Sequence, residues 1–189
     1  DQREIIYAER ARVLNGENMR DAIIKMIYDI IESQVDMFIR DDQAPKDWDM
    51  AGLSQSMLEI IPFKLNLTEA DIEKLSKSEF KQMLKEEAVK LYEMKEAEFP
   101  EPEHIRELER IVLLKVIDRK WMDHLDDLEQ LKQGIGLMAY GQRDPAVEYK
   151  IQGFEMFNIM IDNIKIDTVK TLYHIQVEQK VEREEVAEV

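Results

Sequence analysis

Apolar residues recur every three or four positions along most of this chain and rarely alternate, so the pattern predicts helices rather than strands. Residues 2–14 carry Ile5, Ile6, Ala8, Val13 and Leu14 among charges, and the Asn15-Gly16 pair breaks the run. Asn18, with Asp21 three residues on, predicts the cap of a second helix whose apolar face runs Ile23, Ile24, Ile27, Ile30, Ile31, Val35 and Phe38. A polar stretch around Pro45 follows, and the units shorten: a helix over 47–61 stopped by Pro62, a short one capped by Thr68 with Asp71, and one over 77–99 opened by Ser76 with Glu79. Pro100 and Pro102 close this part.

Two long segments come next. Ile105, Leu108, Val112, Leu114, Ile117, Trp121, Leu125, Leu128, Leu131 and Ile135 mark one; Val147, Ile151, Phe154, Phe157, Ile161, Ile164, Thr168, Leu172 and Ile175 mark the other. Asp144 and Pro145 suit the cap and first turn of the second. A short loop between two such helices predicts an antiparallel hairpin of residues 103–136 and 145–177. Its seam could bury roughly 15 large apolar side chains at about 1.5–3 kcal/mol each, before ordering entropy is subtracted. The predicted fold is therefore all-α: a long helical stretch over 1–40, a small helical subdomain over 41–101, the hairpin over 102–178, and a flexible charged tail over 179–189.

The loop of that hairpin is the most unusual stretch. Residues 133–145 read QGIGLMAYGQRDP, and no acid occurs from Gln130 to Arg143 in a chain with 41 Asp plus Glu and a net charge of −15. Leu137, Met138 and Tyr140 have no regular polar face there. A turn needs only polar residues and flexibility, so apolar and aromatic groups at this loop point to a contact. For Tyr140 the pattern leaves exposed contact and local packing equally open.

Composition narrows the function classes. Six Gly, five Pro and a 44% apolar content fit a helical core. With no Cys there is neither a disulfide nor a thiolate metal site. The acidic balance disfavours nucleic-acid binding, and no apolar run reaches the roughly 20 residues of a bilayer span. The chain starts at Asp1, inside a helical pattern and without Met, which leads us to expect a longer parent.

Candidate chemistry is sparse. Gly134, Gly136 and Gly141 do not form GxGxxG, and no P-loop pattern occurs, so the sequence predicts no nucleotide site. Asp118, Asp123, His124, Asp126 and Asp127 could in principle serve a hard cation, but a solvated helix face is the favoured reading because no loop supplies further oxygens. His104 and His174 stand alone, no Ser or Thr neighbours a His–acid pair, and Trp121 reads as packing on the seam.

The segments LLKVIDRKWMDHLDDLEQLKQGIGLMAYGQRDPAVEYKIQGFEMF and IKIDTVKTLYHIQVE, with QREIIYAERARVLNG upstream, closely resemble the SecA family of preprotein translocase motors. The resemblance runs over nearly the whole chain, is strongest from Val112 to Val177 and is weakest in the middle subdomain. It implies a helical scaffold interrupted by a helical wing, with the last two helices forming a two-helix finger that restrains the motor's ATPase. It implies that the finger tip enters the mouth of the SecY channel and touches the unfolded preprotein, with the tip tyrosine at Tyr140 and Leu137, Met138, Gly141 and Arg143 around it. Arg3, Tyr7 and Arg10 match positions that face the parent protein's own motor domains.

Further expectations follow from the resemblance. The family's motor domains, which carry ATP and Mg, and its zinc-bearing tail are not matched, so this chain is expected to be non-catalytic and to hold no cofactor. Its place would be cytoplasmic, peripheral at the inner face of the bacterial plasma membrane. Helix 2–14 is expected to leave apolar surface uncovered, favouring self-association. Without the resemblance, the alternative is an acidic helical scaffold that oligomerises or binds a partner helix.

Overall fold

The computed structural model describes residues 1–138 and 144–177, and all regular structure among them is helical. The elements are α1 (Gln2–Leu14), α2 (Arg20–Phe38), a 3-10 turn (Pro45–Asp47), α3 (Met50–Leu58), α4 (Glu69–Glu73), α5 (Lys77–Ala97), α6 (Pro102–Met138) and α7 (Pro145–His174). No described helix is long and apolar enough to cross a membrane.

Helix α1 ends in a Schellman motif. The Glu17 N–H reaches the Arg12 carbonyl at 3.4 Å and the Gly16 N–H the Val13 carbonyl at 3.1 Å. This closure needs a left-handed residue, and Gly16 has φ +75°. The break expected at Asn15-Gly16 is thus a helix end. The cap expected at Asn18 falls differently: α2 starts at Arg20, Met19 occupies the cap position, and Asn18 Oδ1 accepts from the Arg20 N–H at 2.9 Å. Asp21 then sits within the first turn rather than pairing with Asn18.

The expected 47–61 helix is shorter and later, because Asp49 acts as its cap. Its Oδ1 accepts from the Gly52 N–H at 3.0 Å, and Trp48 before it is extended. A Cβ on Gly52 would stand 2.4 Å from an Asp49 oxygen, so the tight cap and a bare Gly52 go together. The caps read at Thr68 and Ser76 form as expected, Thr68 as a full capping box with Asp71.

Helix α5 returns antiparallel along α2. Phe80, Leu84, Ala88 and Tyr92 form its buried stripe, against Ile23, Ile27, Ile31 and Val35 of α2 in one core. Beside that stripe runs a ladder of charges: Lys85 and Lys81 on Glu32, Lys81 and Lys77 on Asp36, and Arg20 on Glu96 at the other end, all at 2.6–3.0 Å. The matched order of partners fixes the register of the pair.

Helices α6 and α7 also run antiparallel. Arg119 and Lys120 meet Asp167, the His124 ring lies 5.8 Å from that of Phe157, and Leu128 lies beside Gly153. At 1.5 Å per residue α6 extends about 55 Å. At one end the hairpin is gripped from several sides. The Tyr173 hydroxyl donates to the Ala88 carbonyl at 2.6 Å, Lys95 reaches the Ile175 carbonyl at 2.8 Å, and Lys165 pairs with Asp29. α1 lies along α6, with Arg10 on Asp118 and Gln2 on His124.

The seam shifts relative to the sequence reading. Leu113 and Val116 are buried, whereas Leu125, Val147, Ile151 and Phe154 are exposed. The reason is geometric: α2 and α5 cover the base of α6 and α1 covers its middle, so more than one face of α6 is buried there. Past the level of Gly153 the described hairpin is two helices thick, and one narrow line suffices.

Candidate interaction site: the hairpin end and the face of α1

Helix α6 carries its apolar residues out to the loop. Leu137 is 83% exposed on its last turn. Helix α7 opens with Asp144 Oδ1 accepting from the Ala146 N–H at 3.0 Å, so the chain re-enters helix immediately after the loop. Near this end Val147, Ile151 and Phe154 are exposed as well, Phe154 at 63%. Tyr140, Gly141 and Arg143 lie outside the described residues, as does the side chain of Met138. Around Gly134 and Gly136 there is open space.

The second candidate surface is on α1. Arg3 lies 5.9 Å over the ring of Tyr7, and Tyr7 is half exposed. Arg10 differs from both, since its guanidinium makes two bonds to Asp118, at 2.7 and 3.1 Å. Ile6 and Val13 bury one stripe of α1 while Ile5, Tyr7 and Leu14 stay exposed. Between α1 and α6 runs a groove of about 530 Å³ edged by Tyr7, Leu14, Trp121 and Met122.

The acidic run on α6 separates into distinct environments. Asp118 holds Arg10, and Asp123, Asp126 and Asp127 are exposed. His124 is only 3% exposed, which corrects its reading as part of a solvated face. It lies three residues after Trp121, on the same face, where its Nε2 meets Gln2 Oε1 at 2.8 Å while Gln2 Nε2 donates to the Gly153 carbonyl. Burial pushes the imidazole below its ordinary pKa, partly offset by Asp127. Among the described residues no group of three or more His, Asp or Glu could hold a metal ion.

Sequence reasoning missed a buried polar network where α2, α5 and α6 meet. Glu109 is wholly buried and accepts from the Tyr92 hydroxyl, with Arg106 Nε 3.0 Å from its other oxygen. That Arg106 contact is close but lacks hydrogen-bond alignment, so it is a charge contact. Arg106 also pairs with Glu96, which Arg20 grips from α2 at 3.0 Å. Burial raises the Glu109 and Tyr92 pKa values. The signal was present: Glu109 falls four residues after Ile105 and four before Leu113, in line with the buried face.

Long paired helices braced at one end, with a smaller helical unit alongside, define an all-helical scaffold. The chain matches the SecA Wing and Scaffold domain over residues 1–176, and it belongs to that family. It is 62% identical over 190 residues to the protein translocase subunit SecA of Lachnoclostridium phytofermentans, covering all of this chain and 22% of that protein. SecA 1 of Alkaliphilus metalliredigens is 46% identical, with 98% of this chain and 21% of the relative covered. SecA of Clostridium botulinum strain Okra is 45% identical, with 98% and 22% covered. The chain thus spans about a fifth of the length of the curated relatives it matches.

Proposed function

We propose that this chain is the non-catalytic wing-and-scaffold part of a protein-translocation motor, and that its α6–α7 hairpin is a two-helix finger whose tip touches the moving polypeptide and the mouth of the SecY channel. The contact set is Leu137, Met138, Tyr140, Gly141 and Arg143. The observation that carries this reading is the exposed apolar end of the hairpin, Leu137 above all, within a stretch free of acids in an otherwise strongly acidic protein. An acid-free surface of Leu, Met and Tyr suits an unfolded chain of variable sequence, because it offers adaptable apolar contact without a fixed polar partner.

On this reading the finger also restrains the parent's ATPase, and Arg3 and Tyr7 face the parent's motor domains. Arg10 serves that surface indirectly, by fixing α1 to α6 through Asp118. ATP, Mg and zinc belong to other parts of the parent, which works at the cytoplasmic face of the bacterial plasma membrane. Site-specific cross-linking from residue 140 in the full-length protein tests the proposal. Adducts to a translocating polypeptide and to the channel are expected, and their absence during active transport refutes it. Tyr140→Ala should sharply reduce polypeptide movement while leaving this chain's stability within about 0.5 kcal/mol, as for surface positions.

A further inference from the structure

Away from the hairpin, α3, α4, α5 and the 59–68 connection enclose an apolar hollow of about 260 Å³. Met57, Phe63, Leu67, Phe80 and Leu84 are among its walls, and Ser54 is the one polar residue that lines it. Interiors normally pack to leave few voids larger than a water, and a dry cavity of about 150 Å³ already admits a benzene-sized guest. Drug-sized ligands occupy about 300–1,000 Å³. The hollow therefore suits one or two apolar side chains of a polypeptide better than a cofactor.

Charge selects the kind of polypeptide. Residues 41–75 contain eight Asp or Glu against three Lys. Exposed Glu59 follows the lining residue Leu58, and exposed Asp71 and Glu73 flank Ile72, another lining residue, against one exposed cation between lining residues, Lys64. A nucleic acid, an anionic membrane or a second copy of this chain, with its net charge of −15, would be repelled. We infer that this hollow is a docking site for a cationic amphipathic polypeptide segment, which seats a Leu- or Phe-like side chain among the apolar walls while its Lys or Arg residues meet the surrounding carboxylates. Met50 and Met57 in the lining would let the hollow accept side chains of differing shape. The inference does not depend on the role proposed for the hairpin end.

The test is fluorescence anisotropy of a labelled amphipathic Leu/Lys peptide titrated with this chain, beside a Ser/Lys peptide of equal charge. Burying one leucine-sized side chain should make the Leu/Lys peptide bind at least about tenfold tighter. Trp48, whose ring lies 5.5 Å from that of Phe80, should report the same binding through its emission in a Trp121→Phe background. Leu58→Lys places a cation at the half-exposed edge of the hollow and should weaken binding about tenfold or more, by lost burial and repulsion. Met94→Lys, the same charge change on an exposed position of α5 outside the lining, should not. Equal affinity for the two peptides, or equal loss from Leu58→Lys and Met94→Lys, would overturn the inference, since either outcome reduces the binding to general electrostatics.

Discussion

Removing Arg106 alone should be among the most damaging single changes to this fold, and removing its partners as well should largely undo the damage. Glu109 is fully buried, and Arg106 is the cation beside it; the other support for its charge is the Tyr92 hydroxyl. Arg106→Met keeps the aliphatic packing but leaves that carboxylate without its cation, for which about 3–5 kcal/mol is expected. In a chain of this size each kcal/mol moves the melting temperature by about 2–4 °C, so the variant should melt about 6–20 °C early. Glu96 is a lesser concern, because it retains Arg20 at 3.0 Å.

Adding Glu109→Leu removes the stranded charge but leaves the Tyr92 hydroxyl without an acceptor, at about 1–3 kcal/mol. Adding Tyr92→Phe then makes the site apolar throughout. The triple variant should lie within about 1–2 kcal/mol of the parent, since apolar replacement of a buried ionic group is often neutral or better. Urea denaturation followed by far-UV circular dichroism measures all three, with equal m-values required for the comparison. A cost below about 1 kcal/mol for Arg106→Met would refute the reasoning, by the standard of an exposed pair. So would a triple variant as unstable as the single one.

Other expectations can be checked in the same melts. His124 is held neutral by burial, so its folded pKa is depressed; its contribution is full above the unfolded value near 6.5 and is lost as pH falls from there toward the folded value, at no more than about 1.4 kcal/mol per pH unit for one proton. Glu109, with its raised pKa, contributes in the opposite sense, losing its part as pH rises through the folded value. The difference between the parent and His124→Gln across pH 5–7 therefore isolates the imidazole, and a slope unchanged by the substitution would count against it. Trp121→Ala should cost about 3–5 kcal/mol and Phe154→Ala less than about 0.5 kcal/mol, although the sequence pattern places both on the seam. Thr168→Val should be neutral or stabilising by up to about 1 kcal/mol, because the Thr168 hydroxyl is buried without a partner.

What was legible in the sequence and what was not divide along a physical line. Local chemistry was readable: Thr68 with Asp71, Ser76 with Glu79, and Asp144 before Pro145 all cap as their side chains require. Helical type was readable too, because periodicity over many turns reports one buried face. What failed were inferences in which a third element decides. Leu125 and Phe154 carry the right spacing, but no described element beyond the partner helix covers them, while Leu113 and Val116 are buried because the base of α6 has neighbours on more than one side. His124 and Glu109 failed for a related reason. A polar residue on an apolar stripe is ambiguous until the group that satisfies it, Gln2 or Tyr92, is brought in from far along the chain.

The support along the hairpin changes from its base outward. Near Tyr173 and Ile117, α7 and α6 are held by α5 and α2 through apolar contact, the Tyr173–Ala88 bond and the Lys165–Asp29 pair. At mid-length α1 adds Arg10 on Asp118 and the Gln2 amide, which joins His124 of α6 to Gly153 of α7. Past Gly153 burial on α6 is reduced to Ile135 among the described residues. Local opening costs least where buried contacts are fewest, so among the described residues the hairpin is graded from a braced base to a thinly buried outer part. Gln2 sits at the changeover, where its amide ties α1 to both arms. The brace therefore runs from the α2–α5 core through α7 to α1, whose Tyr7 and Leu14 remain exposed.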